Sequence, residues 1–292
     1  MENWARSDLA TECGIGENGT GIRVMEREVG RCRISRVQVR DEEVAARIGK
    51  PVGRYVVVEC GEIGALDDGE LDETRRALAV EIREMAERMT GKRVGMGFSV
   101  LVAGLGNRAV TPDAVGPETV RHLAVTRHLR QQDAALLATA GLCEISAVVP
   151  GVLGETGVAA AELVRGAVQA VEPDLVVAVD ALAARTVERL AATVQLSDVG
   201  ICPGSGLGAG SFALNGKTVG VPVMALGVPT VVESTTLVAD VLAADGGRLE
   251  EGGAAILRRG GKRFFVAPRE IDVLVAASGV LLAGAIERAF SL

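Results

Sequence analysis

Two aspartates stand where a carboxylate pair could hydrolyse an amide. Asp113 lies in GLGNRAVTPDAVGP (104–117), directly after the apolar run 99–103, and Asp180 closes a second apolar run, LVVAVD (175–180). In an open parallel sheet the ligand crevice lies outside the carboxyl ends of the strands, so both carboxylates fall where such sheets do chemistry. Sixty-seven positions separate them in sequence. A buried pair splits its titration into one acid that stays protonated and one that ionises, which is the minimal kit for general acid/base hydrolysis. Each aspartate also has a plainer reading as a helix N-cap, Asp113 before AVGP and Asp180 before ALAAR. Two in the same topological place shift the balance toward function. Arg185, about one turn after Asp180, is placed to pair with it or to tune it.

Other motifs point to less. GLGNRA (104–109) has the GxGxxA form of the dinucleotide fingerprint, but Thr111 and Pro112 intervene before any helix can open. No acid ends a second strand about twenty residues on, so a nucleotide is not expected. The glycine-rich stretch PGSGLGAG (203–210) lacks the Lys-Ser/Thr of a phosphate-binding loop. It reads equally as a flexible loop or as substrate lining, in which the backbone of Gly204, Ser205 and Gly206 would stabilise an oxyanion. Ser205 has no GxSxG context, so a nucleophile elbow is absent. The two histidines, His122 and His128, are six apart on one expected helix. About 600° of rotation sends them to different faces, and no HExxH occurs.

The elements that must position the aspartates follow from the apolar pattern. Strands are expected at 54–60, 99–103, 146–149, 175–179 and 221–226. Helices are expected at 72–89, 117–130, 158–171, 187–193, 235–244 and 268–290, with Asp72 in the N-cap region of the first. Near-continuous apolar strands alternating with helices give an α/β fold: three layers, a mostly parallel twisted sheet and helices on both faces. Residues 1–50 read as a flexible leader and an irregular arm, and the glycine-rich, charged stretch 245–262 as a mobile loop.

The chain has 292 residues, enough for one large core, and its core must be built from Val, Ala, Leu and Ile because aromatics are 2%. A net charge of −7 argues against a general nucleic-acid surface, which needs a basic stripe. The five cysteines are scattered without any CxxC, which supports neither a zinc knuckle nor a redox pair. The opening residues lack the basic-then-apolar pattern of a signal peptide. The uncharged run 273–286 is shorter than a membrane span. These features together predict a protein of a reducing, cytoplasmic compartment.

Several segments carry a resemblance beyond these generalities: SDLATE (7–12), GLGN with TPDAVGP (104–117), VTRHL (125–129), SAVVPGVLGETG (146–157), VDALAAR (179–185), QLSDVGICPGSGLG (195–208) and GVPTVV (227–232). With them the chain resembles the spore germination protease family over nearly its whole length. The resemblance implies an endopeptidase of small acid-soluble spore proteins, made as a zymogen, assembled as a homotetramer and acting in the spore core. It also implies a fold related to the hydrogenase maturation proteases, with the aspartates of TPDA and VDALAAR, here Asp113 and Asp180, as catalytic acids. The leader then gains a meaning, because DLATE (8–12) resembles the acid–aliphatic–Ala–Ser/Thr–Glu pattern at which the family cuts. Cleavage is expected between Asp8 and Leu9, leaving residues 1–8 as a propeptide and 9–292 as a single protease domain. Two departures are a region shortened around 245–262 and Glu233 where the family usually has aspartate. No cofactor is expected. The rival readings are a metal-dependent endopeptidase of the maturation type, with the two aspartates holding a hard ion, and a non-catalytic protein that binds spore proteins.

Overall fold

The computed structural model describes residues 7–12, 21–132, 139, 141–202, 213–245, 247, 253 and 264–291. Gly204, Ser205 and Gly206 lie outside the described residues, as does most of the glycine-rich stretch 245–262 and of the leader 1–8. The described part opens with a short 3-10 turn at Ala10–Glu12, then a hairpin of β1 (Ile22–Val29) and β2 (Cys32–Val39). Gly30, at φ +56°, supplies the left-handed residue that a tight two-residue hairpin turn needs. Helix α1 (Glu42–Ile48) follows, capped by Asp41, whose carboxylate accepts the amides of Glu43 and Val44 at 2.8 and 3.1 Å. The expected irregular arm is therefore a hairpin and a helix. The outer strand β1 is mostly exposed and carries Arg23, Glu26, Arg27 and Glu28, so it shows no apolar alternation to read.

The chain continues through β3 (Gly53–Glu59), α2 (Asp68–Thr90), β4 (Ser99–Gly104), α3 (Val115–His122), α4 (Arg127–Gln132), β5 (Glu144–Val148), α5 (Leu153–Thr156) and α6 (Ala160–Val171). Then come β6 (Leu175–Ala184), β7 (Thr193–Ser197), α7 (Gly216–Val219), β8 (Val223–Glu233), α8 (Ser234–Ala244), β9 (Phe265–Val266) and α9 (Ile271–Ala289). Helix α2 starts at a capping box of Asp67 and Glu70 rather than near Asp72. The expected helix 117–130 is two helices, broken at 123–126, where Thr126 turns in to bond the backbone of Cys143 and Ile145.

One sheet joins the strands in the order β1-β2-β3-β7-β8-β6-β4-β5, with β9 pairing the far end of β8. The half made of β5, β4, β6 and β8 is parallel, while β1, β2, β3, β7 and β9 join antiparallel. The α/β architecture is as expected, but the mostly parallel sheet is a mixed one. The antiparallel half is built from the hairpin, β3, β7 and β9. The helix expected at 187–193 is only a 3-10 turn, Val187–Arg189, with β7 starting at Thr193.

Helices α2, α3 and α9 cover one face, closing over the largest core, which includes Leu78, Ile82, Val100, Val177, Leu226 and Leu282. The other face is covered in two places. Helix α6 packs on Leu101, Ala103, Val176 and Ala178, and α1 with the 3-10 turn packs on Val37, Val39 and Tyr55. Between these two covers the carboxyl end of the parallel half is left for a site. Alternation along β6 puts Val177 and Val179 toward the α2 face, so Asp180 points to the opposite, partly open one. On the hairpin side, Glu81 of α2 is 2% exposed and pairs with Arg27 and Arg36, the latter at 2.8 Å, which ties β1 and β2 to the helix layer. Among the described residues no helix is long and apolar enough to cross a membrane.

Candidate active site

Strand β4 lies between β5 and β6, so the chain leaves β4 toward β5 and returns past it to β6. That reversal makes a crevice at the carboxyl ends of β4 and β6, where ligands bind in doubly wound sheets. Gly104 pairs with Val179 as the last residue pair of the two strands, and Asp180 is the next residue of β6. Past Gly104 the chain turns at Gly106, which has φ +106°. A Cβ on Gly106 would sit 1.9 Å from the carbonyl oxygen of Asp113, so the turn closes only with glycine there. Gly116 serves a second close approach, since its Cβ would lie 2.3–2.5 Å from backbone atoms of Leu105 and Val179. The start of α3 is thereby pressed directly onto the strand ends.

Asp113 ends a 3-10 turn, Thr111–Asp113, and its plainer reading as the N-cap of α3 does not hold, because that place belongs to Ala114. Its carboxylate instead accepts the Asn107 amide at 2.8 Å, closing the loop back on itself. The turn is held from the neighbouring strand by the Thr230 hydroxyl, which donates to the Pro112 carbonyl at 2.7 Å. Burial pushes the Asp113 carboxyl up from its ordinary value, and the Asn107 N–H opposes that shift by stabilising the ionised form. Asp180 is not a helix cap either. Strand β6 runs through it to Ala184, paired with β8 across a bulge at Leu182/Ala183. Its side chain accepts the Ala181 amide at 2.9 Å.

Asp180 is pushed up to about 8, first by burial and next by the negative charge of Asp113. The two carboxylates expected to act together are thus brought into electrostatic contact. The charge of Asp113 favours the protonated form of Asp180, while the Asn107 N–H favours the ionised form of Asp113. Asp8 adds a third, smaller push on Asp180. Arg185 does not pair with Asp180; its guanidinium lies 3.4 Å from Asp240.

The leader contributes more than position. Residues 7–12 lie against the carboxyl end of β6. The Asp8 amide donates to the Ala183 carbonyl at 2.8 Å, and the Ala183 amide donates to the Asp8 carboxylate at 2.8 Å. Leu9 is 0% exposed and packs with Leu182, Ala184 and Val232. Ala10 enters the cluster under α1. Glu12 accepts the amides of Arg185 and Thr186 at 2.8 and 3.3 Å and the Ser7 hydroxyl. Sequence reasoning missed two residues that touch this segment, Lys50 and Gln195. Their signal was slight, because Lys50 follows a helix in a polar stretch. A glutamine in the middle of a buried strand, 8% exposed, was the stronger hint.

Among the described residues no group of three or more His, Cys, Asp or Glu side chains converges on one point. His122 is near Glu118, at 3.9 Å, on the outer surface of α3.

A family model described as germination protease matches residues 7–244. The chain is 38% identical over 246 residues to a germination protease of Clostridium acetobutylicum, an alignment spanning 82% of this chain and 74% of the relative. It is 40% identical over 210 residues to one of Clostridium perfringens, 72% of this chain and 62% of the relative. With one of Priestia megaterium it shares 40% over 222 residues, 76% of this chain and 59% of the relative. In the last two the matched part is under two thirds of the relative's length.

Proposed function

Because the chain belongs to the germination protease family, we propose that it is an endopeptidase acting in spore germination whose acid/base couple is Asp180 and Asp113. The observation that carries this reading is the placement of two carboxylates at the switch point of the sheet, each held by a backbone N–H, with Asp113 close enough for its charge to raise Asp180. In the reaction Asp113, ionised and held by the Asn107 N–H, takes a proton from a water molecule as its oxygen adds to the scissile carbonyl carbon. Asp180 gives its proton to the amide nitrogen as the C–N bond breaks, leaving a free amine and a carboxylic acid. The couple ends with its protonation reversed and is reset by solvent.

The substrates are proposed to be the small acid-soluble proteins of the spore core, and the assembly a homotetramer. The chain is proposed to be a zymogen that removes residues 1–8 by cutting between Asp8 and Leu9, leaving 9–292 as the protease domain. The docking of residues 7–12 beside Asp180 supports that reading, since a substrate-like segment lies at the site rather than away from it.

The test is cleavage of a small acid-soluble spore protein by wild type, Asp113→Asn and Asp180→Asn. The proposal expects a loss of at least about a thousandfold in kcat/KM from each variant. Equal cleavage by all three would remove the aspartate couple. Loss of activity in a chelator, restored by added metal, would favour the metal-dependent reading instead.

A further inference from the structure

The carbonyl of Asp8 is held more firmly than docking of a chain terminus requires. It accepts two hydrogen bonds, from Gln195 Nε2 at 2.8 Å and from Lys50 Nζ at 2.9 Å. Lys50 also reaches the Ser7 carbonyl, at 3.2 Å. The Gln195 amide is used at both ends, because its Oε1 accepts the Ala10 N–H at 2.6 Å. It thus spans Leu9, binding the carbonyl before that residue and the amide after it.

The sheet explains why Gln195 can reach the crevice. Gly227 of β8 pairs with Asp180 of β6 on one side and with Gln195 of β7 on the other. Directly paired residues share a face, so the three form one row, with Asp180 and Gln195 about 10 Å apart across two strand spacings. Gly227 presents no side chain between them. Asp8 bridges this gap: its amide and carboxylate bond Ala183 of β6, and its carbonyl bonds the Gln195 side chain of β7. The peptide bond following that carbonyl is Asp8–Leu9.

On these contacts we propose that Lys50 and Gln195 form the oxyanion-binding pair of the protease, holding the scissile carbonyl oxygen while Asp113 and Asp180 move the protons. This rests on the proteolytic reading given above. When water adds to the Asp8 carbonyl carbon, the π electrons pass to the oxygen. That oxygen then carries the charge until the C–N bond to Leu9 breaks and the electrons return. One ammonium and one amide N–H already lie at hydrogen-bond distance from it, and both strengthen as the charge develops. Burial of Gln195 keeps water from competing for the same oxygen. The sequence DLATE supplies the rest of the fit: an aliphatic residue for the pocket of Leu182, Ala184 and Val232, and a glutamate for the Arg185 and Thr186 amides.

The test uses the full-length chain and follows loss of residues 1–8 by intact mass in wild type, Lys50→Met, Lys50→Arg and Gln195→Glu. In parallel, each substitution is placed on an Asp180→Asn background, and hydrogen exchange of the Ala10 amide reports whether the segment remains docked. Losing one oxyanion donor should slow cleavage by about a hundredfold or more in Lys50→Met and Gln195→Glu. Lys50→Arg, which keeps a donor, should stay within about tenfold of wild type, and Ala10 should remain protected throughout. Cleavage within threefold of wild type in both Lys50→Met and Gln195→Glu would overturn the pair and leave the aspartate mechanism standing. A fall in rate matched by loss of Ala10 protection would also overturn it, by showing that the two residues only dock the segment. If wild type itself never loses residues 1–8, and cleaves no spore protein, the proteolytic reading fails and the oxyanion pair with it.

Discussion

Replacing Asp180 by asparagine should make the protein more stable, and by an amount that depends on pH. Asparagine keeps an oxygen to accept the Ala181 amide but carries no charge to desolvate. In wild type the folded carboxyl titrates at about 8 against an ordinary value of 3.8. A folded-state acid with a raised value binds more protons than the unfolded chain between those two limits. Stability contributed by the protonated group is therefore complete below about pH 4, is lost as pH rises, and is gone above about 8. The window spans about four pH units, each about 1.4 kcal/mol, for an upper bound of about 6 kcal/mol. Asp180 retains some exposure to solvent, which brings the expected figure to about 2–4 kcal/mol. Guanidinium unfolding of wild type and Asp180→Asn at intervals from pH 4 to 9 measures the difference. The two should coincide near pH 4 and diverge steadily to pH 8, the variant being more stable, with no further change above. Parallel curves across that range would show that Asp180 ionises normally, and the argument from its burial and from Asp113 would be wrong.

Gly106→Ala should unfold at lower denaturant and lose cleavage by a hundredfold or more, because its Cβ meets the Asp113 carbonyl at 1.9 Å in a left-handed turn. Denaturation midpoints and kcat/KM check both halves. Glu81→Ala should cost about 2 kcal/mol, less than the usual 3–5 for a broken buried pair because Arg27 and Arg36 can turn to water. Its cleavage activity should stay within about twofold of wild type. Glu12→Ala removes the acceptor for the Arg185 and Thr186 amides, and loss of residues 1–8 should slow by about tenfold as the segment docks less often.

Much of the site was legible because strand ends announce themselves. The apolar run 99–103 became β4, which leads through the 104–112 turn to Asp113, and 175–179 became the first half of β6, ending at Asp180. What was misread came from local rules that tertiary contacts overrode. ALAA after Asp180 has good helical propensity, yet it extends β6 because β8 runs alongside it as far as Val232. Asp113 has the sequence of a cap, but the crowding of Gly106 turns its carboxylate back to Asn107. The hairpin 22–39 was missed because its outer face is charged along its length. Lys50 and Gln195, 145 positions apart, meet at the leader only through strand order. Lys50 shortly precedes β3, β3 pairs with β7, and on β7 the glutamine faces Asp180 across Gly227, which no spacing in the chain could reveal.

Asp180 is proposed to deliver its proton from a carboxyl raised to about 8 by burial and by Asp113, and the pH dependence of cleavage reports that group directly. The rate of loss of residues 1–8 should hold to about pH 7.5 and then fall about tenfold for each further pH unit, as the acid form of Asp180 is depleted. A rate that stays level or rises from pH 7 to 10 would contradict it.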